Sequence, residues 1–254
     1  MYKALFTISA ETIKELSKDK KYLGAKIGFT SVLHTWGQNL SLHPHIHMIV
    51  PGGGIDSNGK WKSSKKKFFL PVKVVSKLFK GKFLSYTKKN FDQRKIKDKE
   101  QFQNIINTCY SKDWVVYTKK PMKSAKHVVK YLGRYTHRIA ISNARIKKYE
   151  DNKVTFSYKD YSDHNKIKEM TLEDTEFFRR YMMHVLPSNF MKIRHYGFLG
   201  NRNKEERIKA IRTATNTKDP GPLLIDYEQI ISDILKRDVS ICIKCGQKRH
   251  HQLE

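Results

Sequence analysis

The stretch His43-Pro44-His45-Ile46-His47-Met48-Ile49-Val50, running into Pro51-Gly52-Gly53-Gly54, constrains the fold more than any other part of the chain. From His45 onward polar and apolar residues alternate, which is the period of a strand with one buried face. Ile46, Met48 and Val50 then share the core side, and His45 and His47 share the other. The glycine run predicts a tight turn immediately afterwards, because glycine adopts backbone angles closed to other residues.

The neighbouring segments extend this reading. Tyr2 to Ile8 alternates and predicts a first strand, after which Ser9 is placed to cap a helix from Ala10 to Leu23. Ile27 to Trp36 is apolar and too short to separate strand from helix by period. Asp56-Ser57-Asn58-Gly59 predicts a second turn, with a basic strand from Trp61 to Leu70. Val72–Thr87, Lys99–Tyr110 and a segment from Ser124 to Arg138 predict helices. Arg145–Lys148, Val154–Lys159 and Lys166–Thr171 predict a meander of short strands. Thr171 and Asp174 resemble a capping box opening a helix that ends at Pro187, and Phe190–Phe198 again predicts a strand. The expected fold class is α+β, a mostly antiparallel central sheet flanked by helices. Residues 1–205 form the main domain, and 206–254 a basic helical accessory tail.

Charge narrows the partners. Lysine and arginine number 51 against 24 acidic residues, for a net charge of +27. A surplus of that size points to a polyanion, nucleic acid first. No run approaches the ~20 apolar residues of a membrane span, and Met1–Ala10 lacks the pattern of a signal peptide. Cys109, Cys242 and Cys245 do not amount to a disulfide scaffold. The expectation is a cytoplasmic, nucleoid-associated protein without a membrane partner; protein partners are not legible.

Two histidines on one strand face, about 7 Å apart along the strand, suit a shared metal ion. For a third ligand Gln38 is the first choice, with His34 and His43 as rivals. A mixed nitrogen and oxygen set suits Mg²⁺ or Mn²⁺ holding a phosphate oxygen. The helix containing Lys130-Tyr131-Leu132-Gly133-Arg134-Tyr135-Thr136-His137-Arg138 projects Tyr131 and Tyr135 from one face, with Lys130, Arg134 and Arg138 around them. A phenol, whose pKa is near 10, needs positive surroundings and a metal-polarised phosphate to attack a phosphodiester. Lys60, Lys62, Lys65, Lys66 and Lys67 surround Trp61, Phe68 and Phe69, as a groove for single-stranded nucleic acid requires.

These segments resemble the two-tyrosine HUH transposases of rolling-circle insertion sequences, named for a His-hydrophobic-His motif. The matching stretches are Leu33-His34-Thr35-Trp36-Gly37-Gln38, His43–Gly54, Phe68–Val72, Tyr131–Arg145, His184–Pro187 and Arg194–Arg202. The resemblance implies a nicking domain with the histidine pair on a central strand and the tyrosines on a helix facing it. It implies cleavage of single-stranded or hairpin transposon ends through a 5′-phosphotyrosine link, with Tyr131 and Tyr135 as nucleophiles and His45 and His47 as metal ligands.

Members of that family begin with a cysteine-rich zinc module, whereas this chain starts at the nicking domain, which predicts a truncated copy. At the other end Cys242-Ile243-Lys244-Cys245, with His250 and His251, offers candidate zinc ligands, although one CxxC is half of the usual pattern and a frayed tail fits as well. Two alternatives stay open at this stage. One is a histidine-triad-like nucleotide hydrolase, against which Pro44 and the tyrosine pair argue; the other is a DNA-binding fragment with a dead site.

Overall fold

The first element is a helix where local alternation predicts a strand. In the computed structural model, α1 runs unbroken over Tyr2–Lys18. Its buried residues Ala4, Ile8, Thr12 and Leu16 recur every fourth position, with Leu5 and Phe6 alongside. Over the seven residues Tyr2–Ile8 the pattern fits a strand; over the whole element the helical spacing prevails. Ser9 is no cap: its hydroxyl donates to the Leu5 carbonyl at 2.6 Å, inside the helix.

The structure describes residues 1–64, 69–91, 98–119, 121–122, 124–136, 140–219, 221, 227–241, 243 and 245–248. The side chains of 125, 130 and 134–136 lie outside that description. The chain divides into two units, Met1–Thr215 and Asn216–Glu254.

The first unit is α+β, with antiparallel sheets flanked by helices. Strands β1 (Phe29–Trp36) and β2 (Leu42–Ile49) pair, and β8 (Ile193–Tyr196) lies on the other side of β1. The resemblance places the histidine strand centrally; here β1 is central and β2 outermost, among the described residues. Ladder register sets Val32 opposite His47, Leu33 opposite Ile46 and His34 opposite His45, with a bulge before Trp36 meets Leu42. Pro44 lies within that irregular stretch, between the paired residues Leu42 and His45. Ile46 packs with Leu5, Phe6 and Leu33, while Met48 and Val50 pack with Ala10, Ile27 and Phe29. The apolar alternation of β2 therefore faces α1.

Strands β3 (Gly53–Ile55) and β4 (Trp61–Ser63) form a hairpin, tied to the chain before β1 by two Lys26–Ile55 backbone bonds of 2.8 Å. Gly53 and Gly54 lie inside β3, and neither has a positive φ. Close approach requires glycine here: a Cβ on Gly54 would stand 2.5 Å from the Lys26 carbonyl oxygen. The basic strand expected up to Leu70 is described only as β4, and Phe69 is a core residue against Leu16, Leu70 and Val75 rather than a platform for bases.

Helices α2 (Val72–Asn90) and α3 (Lys99–Ser111) follow, α3 being capped by Asp98 Oδ1, which accepts from Gln101 N at 2.8 Å. Then come α4 (Ala125–Thr136) and the meander β5 (Ile146–Glu150), β6 (Lys153–Asp160) and β7 (Lys166–Glu173). Helix α5 (Asp174–Met182) covers the meander, Phe177 meeting buried Val154 and Phe156. The capping box is absent because Thr171 belongs to β7, where its hydroxyl contacts that of Thr155 at 2.8 Å. Phe178 and Met182 on the same helix are each 60% exposed. The unit ends with α6 (Lys204–Ala214).

In the second unit the described elements are α7 (Tyr227–Leu235) and a bridge between Ile241 and Lys248. Cys245 is exposed; Cys242, His250 and His251 lie outside the described residues. No helix among the described residues is long and apolar enough to cross a membrane.

Candidate active site

Pairing of β1 with β2 brings three histidines together. His34, His45 and His47 each offer a ring nitrogen, and these nitrogens lie within 4.8 Å of one another. His34 is 4% exposed and stacks on Trp36, with ring centres 4.5 Å apart. It faces His45 across the ladder, and its ring centre is 4.4 Å from that of His47. Such a cluster can hold a divalent metal.

The contacts fix which nitrogens are available. His45 Nδ1 donates to the His43 carbonyl at 2.7 Å, leaving its Nε2 as a lone pair. That Nε2 is 3.1 Å from His47 Nε2, while His47 Nδ1 is 3.0 Å from the Tyr131 hydroxyl. With the His47 proton on Nε2, Tyr131 donates to His47, His47 to His45 and His45 to the His43 carbonyl. Burial pushes both histidines below the usual imidazole range, His47 down to about 3 with the charges of His34, His45 and Lys119 adding to the effect. Neutral rings are what a metal requires. The spacing also fits: nitrogens held at about 2.1 Å from one ion are roughly 3 Å apart. The His43 carbonyl behind His45 is the outer partner that orients metal-binding imidazoles.

Arg145, Arg180 and His184 hold the turn joining the two strands. Arg145 Nη2 donates to the Gln38 carbonyl, Arg180 Nη1 to that of Asn39 at 3.4 Å, and His184 Nε2 to that of Leu40 at 3.1 Å. Leu40 itself is in the left-handed region, φ 61°. The Gln38 carbonyl is held by Arg145, and of the two rivals His34 joins the cluster while His43 supplies its carbonyl.

The remaining predicted residues divide. Tyr131 reaches the histidines from α4; Tyr135, Lys130 and Arg134 follow or flank it on that helix, with side chains outside the description. Arg138 and Lys65, Lys66 and Lys67 are outside the described residues. Lys60 and Lys62 are exposed on the β3–β4 hairpin. Two further arginines are engaged within the chain: Arg179 pairs with Glu176 at 2.6 Å, and Arg194 lies over the Phe6 ring at 4.2 Å. Sequence reasoning missed Lys119, whose Nζ lies 5.5 Å from the Tyr131 ring centre. No spacing rule links these two residues.

The model of a transposase family, Y2_Tnp, described as "Putative transposase", matches residues 28–207, and the chain belongs to that family. This is the two-tyrosine family that the motifs resemble. "Putative transposase y4qJ" of Sinorhizobium fredii is 40% identical over 97% of this chain and 66% of its own length. "Transposase for insertion sequence element IS801" of Pseudomonas savastanoi pv. phaseolicola is 28% identical over 96% of this chain and 60% of its own length. The chain thus spans less than two thirds of these curated relatives. No solved structure matches it.

Proposed function

We propose that this chain carries out the strand-cutting step of an insertion-sequence transposase, nicking single-stranded DNA through Tyr131. The observation behind this reading is the 3.0 Å contact between the Tyr131 hydroxyl and His47, one member of the three-histidine cluster. Its partner is DNA, in keeping with the +27 charge and with the family.

His34, His45 and His47 are the proposed ligand set, with the Gln38 side chain a further candidate beside them. Three imidazole nitrogens favour Mn²⁺ over Mg²⁺, which prefers oxygen. Bound there, the metal supplies Lewis-acid polarisation of a phosphate oxygen. With Nε2 committed as a ligand atom, His47 carries its proton on Nδ1 and donates it to the Tyr131 oxygen. That ring therefore orients the nucleophile and does not take its proton. Tyr131 Oη attacks phosphorus, the bond to the 3′ oxygen breaks, and the departing oxygen ends as a 3′-OH with the proton the phenol gives up. The 5′ phosphate stays on Tyr131. Tyr135, one helical turn on, is the second nucleophile for a successive transfer. Lys60, Lys62, Lys65, Lys66 and Lys67, with Lys130, Arg134 and Arg138, are the proposed phosphate contacts.

The test incubates the protein with labelled single-stranded and hairpin oligonucleotides and Mn²⁺, scoring a covalent band on a denaturing gel. The Tyr131→Phe, Tyr135→Phe double variant and the His45→Ala, His47→Ala double variant should each lose the band, a drop of at least about 10³-fold. Salt-sensitive retention of DNA with no band under any metal would leave binding without cleavage.

A further inference from the structure

The segment 113–119 crosses from α3 to α4 without pairing into a described sheet. Its inward side is anchored. Trp114 packs between Phe79 and Phe83 at 5.6 and 5.5 Å, its carbonyl accepts from Ser76 Oγ at 2.5 Å, and Val116 packs with Leu16, Leu70 and Val75. Val115 and Tyr117 point the other way, 95% and 79% exposed. Over 114–117 this alternation has the period of extended chain, and Lys119, two residues beyond Tyr117, is exposed as well. Lys119 reaches the Tyr131 ring.

We propose that Tyr117 and Lys119 form a substrate-holding strip beside the nucleophile, Lys119 contacting the scissile phosphate and Tyr117 stacking on a neighbouring base of single-stranded DNA. The proposal rests on Tyr131 being the nucleophile. Lys119 holds its Nζ 5.5 Å from the centre of the ring that must meet an incoming phosphodiester. An exposed aromatic two residues from that cation, on an anchored backbone, supplies the other half of a single-strand contact, a flat platform next to a phosphate clamp. Lys119 acts here as a charge on the phosphate as negative charge builds up during attack. It neither gives nor takes a proton.

Two measurements on the full chain test this. Metal-free binding of a fluorescent (dT)20 oligonucleotide is followed by anisotropy across a salt series. Tyr117→Ala should weaken binding on the order of tenfold, and Lys119→Gln should lower the salt slope by about one. Affinity and slope both unchanged would overturn the proposal whatever the protein cleaves. Covalent adduct formation with Mn²⁺ at saturating DNA should fall about 100-fold in Lys119→Gln and recover in large part in Lys119→Arg. A wild-type adduct rate in Lys119→Gln would overturn the assignment to the scissile phosphate. Should the Tyr131→Phe, Tyr135→Phe double variant keep forming adduct, it is the nucleophile assignment that fails, and the binding result still judges the strip. Both side chains are solvent-exposed, so a thermal melt should show the variants folded.

Discussion

The two three-stranded sheets of the first unit treat charge in opposite ways. In the β2–β1–β8 sheet the central strand is almost wholly buried, His34 being 4% exposed, and on neighbouring β2 desolvation holds His45 and His47 below their ordinary titration range. In the β5–β6–β7 sheet the charges stay in water and pair with each other. Lys168 meets Asp160 at 2.8 Å and Asp163 at 2.9 Å, and Lys153 meets Glu173 at 3.5 Å. Its hydrogen bond to Asp160 raises the Lys168 ammonium, and the same bond lowers the Asp160 carboxyl. Burial disfavours charge on the histidine cluster; exposed pairing keeps the charges of the meander in water. The meander and the helix over it reach the histidine sheet through the arginine and histidine side chains that hold the 38–40 turn.

If that link matters, Arg145→Ala should produce the largest effect. Arg145 donates to both the Gln38 carbonyl and, at 2.7 Å, the Ser157 carbonyl. Removing it strands two carbonyls and should cost about 2–3 kcal/mol in urea unfolding. Mn²⁺ affinity measured by calorimetry should fall roughly tenfold, with Arg145→Lys restoring part of it. Unchanged metal affinity in a destabilised protein would mean the meander supports the fold and not the site.

A pH series probes the buried side of the contrast. His184, 3% exposed, is pushed below its ordinary range by desolvation, against its bond to Leu40. A histidine lowered in the folded state contributes stability that is complete above its unfolded value of about 6.5 and is lost as pH falls towards the folded value. Between pH 6.5 and that value each such ring contributes a slope of up to about 1.4 kcal/mol per pH unit. Urea midpoints should therefore decline from pH 7 to 5, and less steeply in His184→Gln. A flat profile in the wild type would contradict it.

The smallest effect belongs to the exposed side. Lys168→Ala should leave the urea midpoint at pH 7 within error, since solvent-exposed ion pairs add little. A large loss would erase the distinction between the sheets.

What was legible in the sequence followed from short-range pattern. The face-sharing of His45 and His47, the meander and helices α2 to α5 all come from spacing within one element. The long-range facts were not legible. His34 joins the cluster because the ladder sets it opposite His45, and that register depends on a bulge no local rule announces. Arg145, Arg180 and His184 meet three consecutive carbonyls from segments more than a hundred residues away in sequence. The error at α1 was one of window: alternation over Tyr2–Ile8 concealed a repeat visible only across the whole helix.

The outermost position of β2 bears on how the molecule avoids itself. A sheet edge invites strands from other copies, and polymerisation there would seal the histidines from any substrate. Pro44 withholds a donor from that edge and the bulge bends it, while copies carrying +27 repel one another. The irregularity that spoils the ladder thus guards the strand against aggregation beside the histidine cluster.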